Sequence, residues 1–298
     1  MTLRTLLREA VTQFRRAGLA FGHGTQNARD EAAYLILHTL KLPLGELDSV
    51  LDRRLGPRET DVVRAMLERR VRERLPAAYL THEAWLGEFR FYVDERAIVP
   101  RSFIAELLRE GFAPWISDRR RVRSVLDLCT GSGCLAVLAA LAFPAARVDA
   151  ADLSAEALQV ARRNVKDYGL GKRVRLVRSD LFDRLGGGRY DLILSNPPYV
   201  NAVAMRALPR EYRREPRLAL AGGRDGLALV RPMLAQAALH LHPKGSLVVE
   251  IGHNRAALEK AFPRLPFTWL DTSAGEDYVF LLQREDLPAD TSAMMPSR

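Results

Sequence analysis

Apolar and polar positions divide the chain into two differently patterned parts. Near the start, Leu3, Leu6, Leu7, Ala10, Val11, Phe14 and Ala17 recur at helical spacing, and Gly18 stops the run. Asn27 is suited to cap a second helix, in which Ala32, Leu35, Ile36 and Leu40 face inward. Thr60 is suited to cap a third, with Val62, Val63, Met66, Leu67 and Val71 on its apolar side. With loops at Gly22–Gly24 and Gly45–Pro57, these helices predict a small bundle over residues 1–82. It carries no catalytic constellation and reads as a recognition module, with plain structural support as the alternative.

From Ala84 to Val93 the pattern becomes aromatic, with Trp85, Phe89, Phe91 and Tyr92 interrupted by Gly87-Glu88, which predicts a hairpin linker over 83–98. Pro100 ends the extended segment and Ser102 starts a helix through Leu108. Over 99–298, strands and helices alternate. The strands are Val125–Cys129, Arg147–Asp152, Val174–Arg178, Tyr190–Ser195, Leu247–Ile251, Thr268–Leu270 and Val279–Leu282. Helices run over Leu135–Phe143, from a Ser154 cap to Gly169, and from about Asp225 to His240. Such alternation predicts an α/β fold, a mainly parallel sheet covered by helices on both faces. The last fourteen residues, with Pro288 and Pro296, read as a frayed tail.

At 298 residues the chain is long enough for two domains. Hydrophobic content of 48% and charged content of 27% exclude wholesale disorder. The net charge of +9 points to an anionic partner, although solvated Lys and Arg supply the same excess. Two cysteines, Cys129 and Cys134, exclude a disulfide scaffold and are too few for a four-ligand zinc site. No histidine pair has ligand spacing, so no metal is assigned. Arg4 and Arg8 break the first leucines, which argues against a signal peptide. The longest apolar run, Cys134 to Ala146, falls short of the roughly 20 residues a membrane span needs. A cytoplasmic protein without a membrane partner is expected.

The first motif with chemistry is Asp127-Leu-Cys129-Thr130-Gly131-Ser132-Gly133, where a buried strand runs into a glycine turn and then a helix. Glycine there lets backbone approach a ligand closely. Asp152 ends the next strand, at the roughly 20-residue offset where a carboxylate takes the ribose hydroxyls of a nucleoside cofactor. Gly131-x-Gly133-x-x-Ala136 also satisfies a dinucleotide fingerprint, so a nicotinamide dehydrogenase stays a rival. Asp127, however, would repel a pyrophosphate while suiting an ammonium group. S-adenosylmethionine, with a cation, a ribose and an adenine but no phosphate, fits the loop better. Asp180 is placed to meet the adenine amino group and Leu181 to cover the ring; a turn cap is the alternative for Asp180.

The second motif is Asn196-Pro197-Pro198-Tyr199, after the strand Tyr190–Ser195. Two prolines remove two N–H donors and fix both φ angles, leaving a stiff turn that displays acceptors. The Asn196 side-chain oxygen and the Pro197 carbonyl match the two donors of a planar NH₂ group, and Tyr199 can lie against its plane. The tetrapeptide therefore reads as a holder for an amide or amino nitrogen, aimed at an activated methyl group. A plain strand-to-loop turn is the bland alternative.

Together these residues resemble the class I, Rossmann-like methyltransferases that methylate the side-chain amide nitrogen (N5) of glutamine in proteins. Val99-Pro100-Arg101-Ser102-Phe103, Cys129-Thr130 and Leu208-Pro209-Arg210-Glu211-Tyr212 resemble the branch acting on ribosomal protein L3 more than the branch acting on release factors. Arg214 stands where that branch commonly has histidine. The resemblance implies a seven-stranded sheet and S-adenosyl-L-methionine as cofactor, bound by Asp127, Cys129, Thr130, Gly131, Ser132, Gly133, Asp152, Asp180, Leu181 and Asn196. It implies that Asn196, Pro197, Pro198 and Tyr199 hold the glutamine amide, and that L3, free or in a ribosomal precursor, is the partner. Arg206, Arg210, Arg213, Arg214, Arg217 and Arg224 then gain a role toward RNA or acidic protein, against a solvated loop neutralised by Glu211, Glu215 and Asp225. The same NH₂ chemistry serves N6-methylation of adenine in nucleic acid, and a non-catalytic RNA-binding protein remains the reading from another class.

Overall fold

The computed structural model describes residues 1–288. The Thr2 side chain caps α1 (Leu3–Arg16), and Asn27 Oδ1 caps α2 (Ala28–Thr39) by accepting from the Arg29 and Asp30 N–H groups. One turn, α3 (Leu47–Val50), forms inside the segment expected as loop; four residues are too few to leave a period. The next helix, α4 (Pro57–Glu73), starts ahead of the expected Thr60 cap. Pro57 is preset for the first helical position, and Glu59 accepts from the Gly56 N–H at 3.0 Å. Thr60 instead donates to the Gly56 carbonyl from inside the first turn. A short α5 (Ala77–Thr81) follows.

Phe14, Leu35, Ile36, Val63 and Leu67 form the core of this bundle. Arg70 lies fully buried beside them. Its Nε donates to Glu31 Oε1 at 2.7 Å, its Nη2 donates to the Ala20 carbonyl at 3.0 Å, and its Nη1 lies 3.5 Å from Glu211 Oε1. Arg74 reaches the same Glu211 oxygen at 3.1 Å. Charge thus ties the bundle to a segment more than a hundred residues downstream.

The expected hairpin is β1 (Ala84–Leu86) and β2 (Phe89–Phe91), turning at Gly87. Its buried Phe91 joins the cluster containing Ile104, Leu108 and Val125, so the hairpin packs on the sheet half. Then α6 (Ile104–Arg109) begins just past Ser102, whose Oγ accepts from the Ile104 N–H.

The strands are β3 (Ser124–Leu128), β4 (Arg147–Asp152), β5 (Val174–Arg178), β6 (Tyr190–Ser195), β7 (Leu241–Glu250), β8 (Thr268–Leu270) and β9 (Val279–Gln283). Interleaved are α7 (Cys134–Ala142), α8 (Ala155–Asp167), α9 (Ala202–Ala207), α10 (Val230–Ala237) and α11 (Arg255–Ala261). The sheet order is β5-β4-β3-β6-β7-β9-β8, parallel as far as β7, with β9 antiparallel to both its neighbours. Alternate residues enter two cores: Val125, Val148, Leu192 and Val248 one, Leu126, Leu128, Ile193 and Val249 the other. Both faces are therefore covered, and these strands read as unbroken apolar runs.

Two expectations need correction. The helix expected from about Asp225 begins at Val230, because Gly222–Gly226 brace the chain after Tyr199 instead. The tail does not fray from residue 285: Arg284–Asp286 make a 3-10 turn and Leu287 is buried against the sheet, while residues 289–298 lie outside the described residues. Among the described residues no helix is long and apolar enough to cross a membrane.

Removing one partner from a buried ion pair strands the other charge, at a cost of about 3–5 kcal/mol. Arg70→Met should lower the unfolding free energy by about that amount in urea titrations, through the stranded Glu31, while Glu211 keeps Arg74. An unchanged midpoint would mean the network contributes nothing to stability.

Candidate functional site

The register of the sheet assembles the site. Ala151 pairs with Leu128, Leu128 with Ser195, and Ser195 with Val249. The next residue on each strand therefore lies in one row at the carboxyl edge: Asp152, Cys129, Asn196 and Glu250. From β3 the chain moves outward one way to β4 and β5, and from β6 the other way to β7. Between β3 and β6 lies the topological switch point, where open α/β sheets bind ligands.

A cavity of ≈ 310 Å³ opens there. Of the residues expected to bind cofactor or substrate, Cys129, Gly131, Asp152, Asp180, Leu181, Asn196 and Pro198 line it. Asp127, Thr130, Ser132, Gly133 and Pro197 are buried and Tyr199 half-buried, and none of them is part of its lining. Glu95, Ile98, Glu156 and Leu218, which sequence reasoning did not single out, are among the others that line it. Their segments are distant in the chain and carry no motif.

Asp152 holds the loop in place. Its Oδ2 accepts from the Gly131 N–H and its Oδ1 from the Ser154 N–H, both at 2.8 Å. Burial nevertheless raises its pKa. Asp127 is completely buried; Thr130 donates to its Oδ2, and its Oδ1 has no partner. Burial pushes this carboxyl up to about 7, against the Thr130 bond that favours the anion. Ser132 Oγ is likewise buried without a partner. Gly133 differs from expectation in its reason: its bare side faces α8, where an added Cβ would lie 3.0 Å from the Ala161 Cβ, and its φ is +78°. Helix packing, rather than approach to a ligand, requires glycine there. Asp180 is exposed, and its carboxylate caps nothing among the described residues; Ser179 Oγ takes the Arg184 N–H of that turn instead.

The Asn-Pro-Pro-Tyr turn is held with its acceptors free. Asn196 Nδ2 donates to the Arg101 carbonyl at 3.0 Å, and a carbonyl can only accept, so the amide has one orientation. Neither Asn196 Oδ1 nor the Pro197 carbonyl accepts a hydrogen bond among the described residues. Tyr199 is clamped by glycines: a Cβ on Gly252 would meet its ring at 2.6 Å, and one on Gly226 its carbonyl at 2.6 Å. Asn254 Nδ2 donates to that carbonyl at 2.8 Å, and Val200 pairs with the chain at Leu220 and Gly222.

Behind Asn196 stands an ion pair that no local motif reveals. Arg101 donates to both oxygens of Glu215 at 2.7 Å, and the Val99 N–H donates to the same carboxylate at 3.0 Å. Burial would raise Glu215, but the Arg101 guanidinium and the adjacent His23 hold its carboxyl down at about 2. His23 belongs to the bundle, so the helical half touches the support of the amide turn directly. Glu250, next in the row, accepts from Ser102 Oγ and the Phe103 N–H, and burial raises it to about 7. Segment 99–103 thus forms the wall facing Asn196.

The methyltransferase small domain model matches residues 111–210. Over 286 residues the chain is 59% identical to the ribosomal protein uL3 glutamine methyltransferase of Neisseria meningitidis serogroup B, covering 96% of this chain and 94% of that protein. It is 57% identical over 295 residues to the protein of that name from Burkholderia pseudomallei, covering 97% and 96%. With that of Bradyrhizobium diazoefficiens the identity is 48% over 293 residues, covering 96% and 92%. The sheet order and the domain match make the fold that of a class I methyltransferase. With close to half or more of its residues shared over nearly the full length of these proteins, the chain belongs to the ribosomal protein uL3 glutamine methyltransferase family.

Proposed function

We propose that this enzyme transfers the methyl group of S-adenosyl-L-methionine to the side-chain amide nitrogen (N5) of a glutamine in ribosomal protein uL3. The observation that carries the reading is the fixed Asn196 amide. Its donor half is spent on Arg101, which leaves Asn196 Oδ1, on a residue that lines the cavity, and the adjoining Pro197 carbonyl both without a donor among the described residues. A carboxamide NH₂ has two donors to fill these two acceptors.

The site also fits the cofactor. Two orphaned buried atoms, Asp127 Oδ1 and Ser132 Oγ, lie under the glycine loop and match an ammonium and a carboxylate. Four carboxylates, Glu95, Asp152, Glu156 and Asp180, line the cavity against two cations, Arg217 and an Arg96 already paired with Asp94. Such a wall favours a sulfonium and opposes the pyrophosphate of a nicotinamide dinucleotide. S-adenosylmethionine supplies a methyl carbon made electrophilic by its sulfonium. Asp152 remains open to the ribose hydroxyls, Asp180 to the adenine amino group, and Leu181 to the ring face.

An amide nitrogen is a weak nucleophile, so this chain's contribution is orientation, for which intramolecular reactions allow at most about 7–11 kcal/mol. Asn196 and Pro197 fix the nitrogen, Tyr199 braces the turn, and Arg101 with Glu215 holds Asn196. With the cofactor bound, the S–CH₃ bond would break as the N–CH₃ bond formed, and the nitrogen, made acidic, would release its proton to water, so that no strong base is required of this chain. The bundle, residues 1–82, is the module that holds the target protein, and its link through His23 and Arg74 to Glu215 and Glu211 supports that role.

Purified uL3 and a purified release factor, each incubated with labelled S-adenosylmethionine, should give methylated glutamine in uL3 alone by peptide mass spectrometry. Label confined to the release factor would sink the reading. Asn196→Ala should lower kcat about 10²–10³-fold, the size of losing one positioned polar group, with cofactor affinity held within about threefold. Calorimetry and steady-state rates separate the two. Because a cation beside Asp127 favours its anion, binding should expel a proton while that carboxyl is protonated in the free enzyme. Affinity for S-adenosylmethionine should therefore rise, by at most about tenfold per pH unit, from about pH 5.5 to its level near pH 7. Asp127→Asn should flatten that dependence.

A further inference from the structure

We propose that the outer face of segment 201–224, which follows the amide turn, binds the phosphate backbone of RNA, and that uL3 is methylated while it is held on ribosomal RNA. The second half of this inference rests on the proposed function; the first does not.

Segment 201–224 has two chemically opposite faces. Glu211 and Glu215 turn inward and are spent on Arg70, Arg74 and Arg101, and Asp225 is spent on Arg231. Those are the three acids expected to neutralise the loop, and none does. Arg206, Arg210, Arg213, Arg214, Arg217 and Arg224 are all exposed, and among the described residues none of them makes an ion pair. The display is built rather than loose. Arg213 donates to the Leu208 and Arg206 carbonyls at 2.8 and 3.2 Å, and two 3-10 turns, Tyr212–Arg214 and Arg217–Ala219, set the arginines out.

The face also adjoins the reaction. Arg217 and Leu218 reach the cavity wall, and Gly222 packs against Tyr199. The carboxylates Glu95, Asp152, Glu156 and Asp180 line the cavity, and Arg217 of this face reaches it. Guanidinium groups match phosphate oxygens in pairs and are weakly hydrated, which suits a phosphate backbone. A target carried on RNA would be drawn to this face by the phosphates that come with it. Leu218 and Val203, 54% and 67% exposed, add apolar surface between the cations.

The test uses full-length enzyme and a variant carrying Arg206→Gln, Arg210→Gln, Arg214→Gln and Arg224→Gln, which spares Arg213 and the cavity residue Arg217. Thermal melting by circular dichroism should be unchanged, as all four are exposed. Fluorescence anisotropy with a labelled 23S rRNA fragment of about 30 nucleotides should show salt-dependent binding by the wild type. In the variant the slope of log K against log salt should shrink by about 3, from four lost phosphate contacts at about 0.7–0.9 each. Methylation of uL3 bound to rRNA should slow in the variant, while methylation of free uL3 stays unchanged. Equal RNA affinity and equal slope in the two proteins would overturn the proposal. So would displacement of the RNA by polyglutamate at equal charge, which would mark the face as a site for acidic protein. The anisotropy reports on RNA whether or not glutamine methylation occurs, so the two readings fail separately.

Discussion

Everything at the site depends on the parallel register that sets Ala151, Leu128, Ser195 and Val249 side by side. Strand pairing has a side-chain period of two, so a slip of one residue in β6 would turn Asn196 away and bury its neighbour's face wrongly. The register is secured by burial on both faces, since Leu126 and Val125 enter opposite cores along with their strand partners. A row of four polar or reactive residues at the carboxyl edge is the consequence. No chemistry has to be arranged loop by loop, because the sheet brings the ends of four strands to one line.

Around that row, charge is sorted by burial. The carboxylates that stay wet, Glu95, Glu156 and Asp180, line the cavity, while Glu211 and Glu215 are buried and paired. Glu215 and Glu211 show how costly burial is offset: each carboxylate meets guanidinium groups, and Glu215 adds a backbone N–H. Asp127 and Glu250 form no ion pair with a guanidinium among the described residues and are raised toward neutrality instead, by burial. The two outcomes differ in effect: Glu215 is kept charged and holds Arg101 in place, while Asp127 is left beneath the glycine loop with its Oδ1 unpartnered.

The helical bundle is linked to the chemistry by contact rather than by sequence. His23 beside Glu215, and Arg70 and Arg74 beside Glu211, all converge on one short stretch of 3-10 turns. That stretch then pairs with Val200 through Leu220 and Gly222. The bundle is thereby connected, through packed and paired groups, to the Asn-Pro-Pro-Tyr turn.

Much of this was legible in the sequence where the cause is local. Asn27 and Ser154 cap the helices they were expected to cap, and the strands Arg147–Asp152, Val174–Arg178 and Tyr190–Ser195 begin and end as the apolar runs do. The glycine loop and the Asn-Pro-Pro-Tyr turn announce themselves because glycine freedom and proline rigidity are properties of single residues. Helix starts were misjudged where a neighbour intervened: Pro57 moved one earlier, and the clamp on Tyr199 moved another later. What only the tertiary structure decided is which charges meet. Glu211 and Glu215 look in sequence like counter-ions for the arginines beside them, and they pair instead with Arg70, Arg74 and Arg101 from far along the chain. Ion pairing depends on distance and burial, and neither is written in the spacing of residues along one segment.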